Sequence, residues 1–123
     1  MNFGHTIGHA IESYFLESPD KKSLTHGEAI AVGMIIELYY SKVKFNFPLQ
    51  HTNELKSFVN EFYGKIPIEA DDIPDIIDLM KYDKKNVSGK VNFVLLDTLE
   101  HCQLDVQLSS EIILEGLNYY MKN

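Results

Sequence analysis

Two short segments near the start of the chain carry most of its functional information. Residues 2–12 read NFGHTIGHAIE and residues 24–34 read LTHGEAIAVGM. In the first segment His5 and His9 are four residues apart, so on a helix they lie on the same face, one turn from each other. His26 begins the next predicted helix, and an antiparallel return of that helix can bring it beside the other two. Three of the five histidines can therefore meet at one place.

The glycines of the first segment need an explanation of their own. Gly4 and Gly8 lie in a predicted helix, where each costs about 1 kcal/mol relative to alanine. Close approach of a ligand or of a neighbouring helix would account for them. The simpler interpretation is that the histidines are ordinary polar residues and that the glycines only permit tight helix packing. Spacing alone does not decide between the two.

The spacing of His5 and His9 also occurs in zinc proteases. That chemistry requires a glutamate directly after the first histidine, because the glutamate acts as the general base. The residue at that position is Thr6, so the pattern does not favour a protease. Glu12 and Glu28 are common residue types for a helix surface and a first helical turn, and we interpret both as structural.

Apolar residues recur at three- and four-residue spacing along most of the chain, which predicts a mainly α fold. The first helix starts near residue 3 and ends in the polar segment 17–25. The second runs from residue 26 to about residue 45, is apolar almost all round and should form the buried centre. Ser23 or Thr25 is a suitable N-cap for it.

The remaining chain predicts three more helices and one change of period. The third helix carries the apolar stripe Leu55, Phe58, Val59 and Phe62 and ends at Gly64. The fourth starts after an acidic pair and runs to about residue 82, and Ser109 or Ser110 caps the last one. Between these two helices, residues 91–96 and 101–106 are β-prone and indicate a small hairpin. We therefore expect about five helices plus one small β-hairpin.

Composition limits the possible partners and surroundings. With 123 residues, 45% of them hydrophobic, the chain suits one compact unit. A formal charge of −7 disfavours nucleic acid as a partner. The apolar stretch 29–40 is interrupted by Glu37 and is too short for a bilayer of about 30 Å, and we expect neither a membrane span nor a secretory signal. A single cysteine, Cys102, fits a reducing, cytoplasmic setting.

The histidine motifs resemble the signature of the 3-dehydroquinate synthases. Residues 2–10, NFGHTIGHA, and residues 25–29, THGEA, match two blocks of that family. A third piece has residues 83–86, DKKN, followed by GK at 89–90 and FVLL at 93–96, in the order that the family has. The resemblance spans residues 2 to about 96.

The resemblance implies a metal site and its cofactors. In the family, the positions of His5 and His26 ligate zinc, or possibly another divalent metal. The position of His9 is catalytic and lies by the substrate, where it handles a proton or contacts phosphate. The third metal ligand is a glutamate of the preceding part of the chain, which also forms the NAD-binding domain. Both would be absent from these 123 residues, so the resemblance implies weak metal binding by this chain alone.

The resemblance also implies substrate contacts. Asn2 matches an asparagine that contacts substrate, and a lysine of the third piece, Lys84 or Lys85, contacts its anionic groups. Residues 1–123 would then be the helical metal- and substrate-binding domain of the dehydroquinate synthase-like fold, with the NAD-binding domain N-terminal to it.

The implied activity is that of a lyase of the shikimate pathway, which leads to chorismate and the aromatic amino acids. It converts 3-deoxy-D-arabino-heptulosonate 7-phosphate into 3-dehydroquinate and phosphate. We expect the isolated chain to be inactive and the complete enzyme to be a homo-oligomer. Two alternatives stay open: a domain of another sugar-phosphate cyclase or metal-dependent polyol dehydrogenase, and a non-catalytic helical interaction module.

Overall fold

The computed structural model describes residues 3–81 and 91–122. Within these ranges the fold is mainly helical, and its one sheet has two antiparallel strands. The elements, in chain order, are α1 (His5–Glu17), α2 (His26–Phe45), α3 (Leu49–Tyr63), a short 3-10 turn (Ala70–Asp72), α4 (Ile73–Lys81), β1 (Asn92–Thr98), β2 (His101–Gln107) and α5 (Ser110–Lys122). The predicted five helices and hairpin are confirmed in this part of the chain.

Helix α2 is the buried centre of the fold, as its pattern predicts. It packs against α1, α3, α5 and β1, which explains why its apolar residues occur on every face. Its start is set by a capping box, in which the Thr25 hydroxyl accepts from the Glu28 N–H at 3.1 Å. The Glu28 carboxylate in turn accepts from the Thr25 N–H at 2.8 Å. These two bonds place His26 at the first residue of the helix.

Helix α1 crosses α2 in an antiparallel direction at very short range. A methyl group added at Gly33 would overlap the Gly4 carbonyl oxygen and lie 2.9 Å from the Gly8 Cα. A methyl added at Gly8 would lie 2.9 Å from the Ile30 side chain. The glycines therefore let the two backbones touch, which is the packing explanation of their presence. The same contact sets where the histidines of the two helices lie relative to each other.

The other elements surround this pair. Helix α4 packs on α1, and α5 packs on α2, where Gly116 leaves room for the Tyr40 ring. The Tyr40 hydroxyl donates to the Ile113 carbonyl oxygen at 2.7 Å. Strand β1 covers α2 with the fully buried Phe93 and Leu95. Among the described residues no helix is long and apolar enough to span a bilayer.

The apolar stripe of helix α3 differs in exposure from one residue to the next. Val59 is buried, but Phe58 and Phe62 are 61% and 70% exposed, and their rings stack on each other with centroids 6.1 Å apart. The helix packs on α2, and among the described residues this packing leaves most of the Phe58 and Phe62 side chains uncovered. The predicted apolar stripe is therefore only partly buried.

Candidate metal centre

Three imidazoles converge where α1 crosses the start of α2. The ring centroids of His5 and His9 are 5.2 Å apart, and each lies 5.9 Å from the centroid of His26. One ring nitrogen from each histidine can be chosen so that all three lie within 4.8 Å of one another. His5 and His9 are half-buried and His26 is exposed, so the cluster sits at the surface of this chain.

The local fold accounts for this convergence. His5 is the first residue of α1 and His9 lies one turn later on the same side. The capping box holds His26 at the first residue of α2, and the antiparallel crossing at the glycines brings that residue to the α1 surface. The return of the second helix therefore occurs as the sequence predicts.

Hydrogen bonds orient the rings of His5 and His26. The Nδ1 of His5 lies 3.1 Å from the Phe3 carbonyl oxygen, and the Nδ1 of His26 lies 3.0 Å from the Glu12 Oε1. A carbonyl or carboxylate oxygen only accepts, so the Nδ1 of each ring is the hydrogen donor in these bonds. In a neutral imidazole the Nε2 is then the nitrogen available to a metal.

A carboxylate from α2 holds the beginning of α1 in place. The Glu37 Oε1 accepts from the Gly4 N–H at 2.8 Å and its Oε2 accepts from the Ile7 N–H at 3.1 Å. Gly4 has φ 84° and supplies no side-chain cap, so Glu37 takes the place of one from another helix. Glu37 is fully buried, and burial raises its pKa to about 8 although both N–H donors act in the opposite direction.

The connection between α1 and α2 is fixed by a second buried carboxylate. Asp72, 3% exposed, accepts from the Tyr14 hydroxyl at 2.6 Å and from the Lys21 ammonium at 3.0 Å. Burial raises the pKa of Asp72, but the bonds from Tyr14, from the Glu69 N–H and from Lys21 together bring it below its usual value. This anchoring limits the freedom of the segment that leads to His26.

An apolar cleft of about 390 Å³ opens beside the histidines. It lies between the start of α2 and helix α3, and its lining includes His5, His26, Met34, Phe58 and Tyr63. The cluster thus has a polar edge formed by imidazoles and an apolar edge formed by α3.

The donor set suits a divalent transition metal. Tetrahedral zinc takes histidine nitrogens at about 2.0–2.1 Å, which places two such nitrogens roughly 3.4 Å apart. The 4.8 Å span of the cluster is wider by at most about 1.4 Å, a gap that small ring rotations can close. Imidazole is a preferred ligand of zinc, copper, iron and nickel, so the residues fit such an ion.

The structure describes three of the six predicted site residues. His5, His9 and His26 lie together, and their individual roles stay predictions. Asn2, Lys84 and Lys85 lie outside the described residues, so the predicted substrate contacts are untested.

Sequence reasoning missed two residues near the cluster. Glu12 was interpreted as an ordinary helix-surface residue and Glu37 as an interruption of an apolar run. A charged residue inside the otherwise apolar stretch 29–40 was the available signal for Glu37. The bond from Glu12 to His26 had no such signal, since the two residues are 14 positions apart.

Comparisons with known proteins agree with the motif resemblance. A family model described as 3-dehydroquinate synthase C-terminal matches residues 1–86. The 3-dehydroquinate synthase of Parabacteroides distasonis is 35% identical over 123 residues, which is all of this chain and 34% of that protein. That of Picrophilus torridus is 38% identical over 114 residues, covering 92% of this chain and 32% of that protein. The chain spans about a third of the length of these curated relatives.

A solved structure shares the fold. The crystal structure of 2-deoxy-scyllo-inosose synthase complexed with carbaglucose-6-phosphate, NAD+ and Co2+ superposes with a TM-score of 0.72 and 26% sequence identity. The match covers 96% of this chain and 32% of that one. The mainly α architecture is therefore that of one part of a larger synthase-like fold.

Proposed function

This chain belongs to the 3-dehydroquinate synthase C-terminal family, and from that premise we propose that it forms the metal- and substrate-binding part of a 3-dehydroquinate synthase. The complete enzyme would convert 3-deoxy-D-arabino-heptulosonate 7-phosphate into 3-dehydroquinate and phosphate, as a lyase of the shikimate pathway. An NAD-binding domain N-terminal to these residues would complete it. The threefold greater length of the relatives supports this division.

The observation that carries the proposal is the convergence of His5, His9 and His26 at one point of the α1–α2 crossing. Three surface histidines with unrelated roles would not be expected to lie together. Here they meet at the α1–α2 contact that Gly4, Gly8 and Gly33 make possible. The Nδ1 hydrogen bonds of His5 and His26 add to this, because they leave the metal-binding nitrogen of each ring available.

The residues of this chain would have three roles: metal binding, proton handling and substrate binding. His5 and His26 would hold a divalent ion, zinc by the family resemblance, and a carboxylate of the N-terminal domain would complete the ligand set. His9, one turn along α1 from His5, would hold or pass a proton at the substrate or contact its phosphate. Asn2 and either Lys84 or Lys85 would bind the polar and anionic groups of the substrate.

The bound groups would supply chemistry that side chains lack: the metal polarises a hydroxyl and lowers its proton affinity, and NAD provides a reversible oxidation. The protein's part is to place the substrate against them. The apolar wall that Met34 and Phe58 form beside the histidines would help to exclude water once the N-terminal domain covers it.

Calorimetric titration with Zn2+ tests the metal site in this chain. Two imidazoles without the external carboxylate form an incomplete site, so we expect binding weaker than nanomolar, and we expect His5→Ala and His26→Ala to abolish it. His9→Ala should leave the affinity nearly unchanged. A nanomolar dissociation constant that is lost in His9→Ala would contradict this division and make His9 a third ligand.

A chimera tests the activity. The chain would replace the corresponding third of the Parabacteroides distasonis synthase, and phosphate release from the heptulosonate phosphate would be measured with NAD and Zn2+. We expect turnover in the chimera, none in the isolated chain and none in the chimera with His26→Ala. A folded chimera that binds NAD and Zn2+ but releases no phosphate would sink the proposed reaction.

A second candidate follows from the likeness to 2-deoxy-scyllo-inosose synthase, whose structure contains a carbocyclic sugar phosphate. The chain would then serve a related sugar-phosphate cyclase with a different substrate. Supplying a hexose 6-phosphate to the same chimera distinguishes the two candidate functions. Release of phosphate from the hexose phosphate but not from the heptulosonate phosphate would favour the second candidate.

We extend the proposal to the setting of the complete enzyme. A cytoplasmic homo-oligomer is expected, and the single cysteine supports a reducing compartment.

A further inference from the structure

The bond between Glu12 and His26 points to a positioning role for a residue that no motif assigns. We propose that Glu12 orients His26 as a metal ligand: its carboxylate accepts the Nδ1–H of His26 and thereby directs the Nε2 lone pair at the ion. The inference rests on the proposed metal site. Glu12 itself touches neither metal nor substrate in this scheme.

The geometry supports such a role. The Glu12 Oε1 and the His26 Nδ1 are 3.0 Å apart, and the bond connects the third turn of α1 to the first residue of α2. The His26 side chain is 59% exposed, so without a partner its ring would rotate and populate both neutral tautomers. A single acceptor at Nδ1 restricts the rotation of the ring and also selects the Nδ1–H tautomer.

The two predicted ligands share this arrangement. His5 has a carbonyl oxygen of the backbone on its Nδ1, at 3.1 Å, and His26 has a carboxylate there. Metal-bound histidines almost always carry an acceptor on the ring nitrogen that does not face the metal. Glu12 supplies for His26 what the Phe3 carbonyl supplies for His5.

A purely structural role explains the pair less well. An exposed ion pair contributes at most about 1 kcal/mol to stability, and the helix crossing is already held by the glycine contact. The carboxylates of the two acidic residues of α2, Glu28 and Glu37, accept from backbone N–H groups. Glu12 is thus the carboxylate that α1 contributes to His26.

The test compares Zn2+ binding by the full chain and by Glu12→Ala, Glu12→Gln and Glu17→Ala in calorimetry. Loss of the carboxylate should raise the dissociation constant 10- to 100-fold. Glutamine keeps an acceptor oxygen, so it should restore part of that loss. Glu17 is exposed on the same helix, and Glu17→Ala removes the same charge away from the histidines, so it should change affinity less than twofold.

A spectroscopic readout tests the same role without metal. In 15N spectra of the imidazoles at a pH where they are neutral, His26 should be mainly the Nδ1–H tautomer in the unaltered chain and in Glu12→Gln. In Glu12→Ala it should shift towards the Nε2–H tautomer that free imidazole side chains favour. Circular dichroism identifies a variant that does not fold, and Glu12→Gln then carries the comparison.

The outcomes separate this inference from the proposed function. If His26→Ala binds Zn2+ as the unaltered chain does, or if the unaltered chain binds none, the metal site fails and the inference with it. If His26→Ala loses binding while Glu12→Ala keeps its affinity within twofold and its tautomer, only the role of Glu12 is overturned. Equal losses in Glu12→Ala and Glu17→Ala would reduce the effect to overall charge and overturn it as well.

Discussion

Replacement of the buried Glu37 by glutamine should remove a large pH dependence of stability. The pKa of Glu37 is raised on folding from its ordinary 4.5 to about 8, with burial as the largest cause. Above pH 4.5 the unfolded chain therefore gives up this proton while the folded chain keeps it. Stability contributed by this group is complete below pH 4.5 and is lost as the pH rises towards 8.

The magnitude follows from the two pKa values. A rise from 4.5 to about 8 corresponds in total to about 5 kcal/mol of unfolding free energy, at about 1.36 kcal/mol per pKa unit. Most of this, about 3–4 kcal/mol, falls between pH 5 and pH 8. Glutamine does not titrate, so the unfolding free energy of Glu37→Gln should lack this decline.

Glutamine also has a constant effect. The N–H groups of Gly4 and Ile7 each bond one oxygen of the Glu37 carboxyl group. Both oxygens can accept even when the group is protonated, whereas the amide NH2 of glutamine cannot. One buried N–H loses its partner, at a cost of about 1–3 kcal/mol at every pH. The variant should therefore be less stable than the unaltered chain at pH 5 and approach or exceed its stability at pH 8.

The assay is urea unfolding followed by circular dichroism at pH 5, 6, 7 and 8. The difference between the two proteins isolates Glu37, because all other titrating groups are common to both. Glu17→Gln, the same change at an exposed position of α1, is the control and should give a flat difference. A difference for Glu37→Gln that varies by less than about 1 kcal/mol over this range would refute the reasoning and show that the two N–H donors keep the folded carboxylate ionised.

Two further perturbations test the packing that places the histidines. Gly33→Ala should destabilise the chain by about 1–3 kcal/mol, because its methyl overlaps the backbone oxygen of Gly4 and outweighs the helix preference for alanine of about 1 kcal/mol. Gly27→Ala, whose methyl meets only the end of a tyrosine side chain, is the control, and equal melting temperatures for the two variants would contradict the close-contact argument. Asp72→Asn should lose about 1–3 kcal/mol at pH 7 through its bond to Lys21. Since the pKa of Asp72 is lowered on folding, this loss should fade in denaturant titrations as the pH drops below about 3.8, and a loss that persists unchanged at pH 2 would count against it.

Local interactions explain why the elements could be predicted. The capping box at the start of α2 lies within residues 25–28. The three- and four-residue spacing of apolar residues, which predicts the helices, is also a relation between near neighbours in the sequence. The same holds for the pair His5 and His9, whose shared face follows from their separation of four. Such features depend on contacts a few residues apart and need no knowledge of the rest of the fold.

Features that depend on long-range contacts could not be predicted. Phe58 and Phe62 have the same apolar character as the buried Val59, and only the direction from which α2 approaches α3 decides which of them is covered. Glu12 looks like an ordinary helix-surface residue until its partner, 14 positions away, is known. Glu37 is conspicuous as a charge in an apolar stretch, but its partners on α1 cannot be read from the sequence.

The order of the helices, the hairpin, the family resemblance and the candidate histidines could all be predicted from the amino-acid sequence. The close helix contact at the glycines, the Nδ1 partners of His5 and His26 and the bonds of Glu37 to the start of α1 became known only from the folded structure. Helix formation depends on residue spacing along the chain, whereas the orientation of a side chain depends on which donor or acceptor the fold brings within about 3 Å.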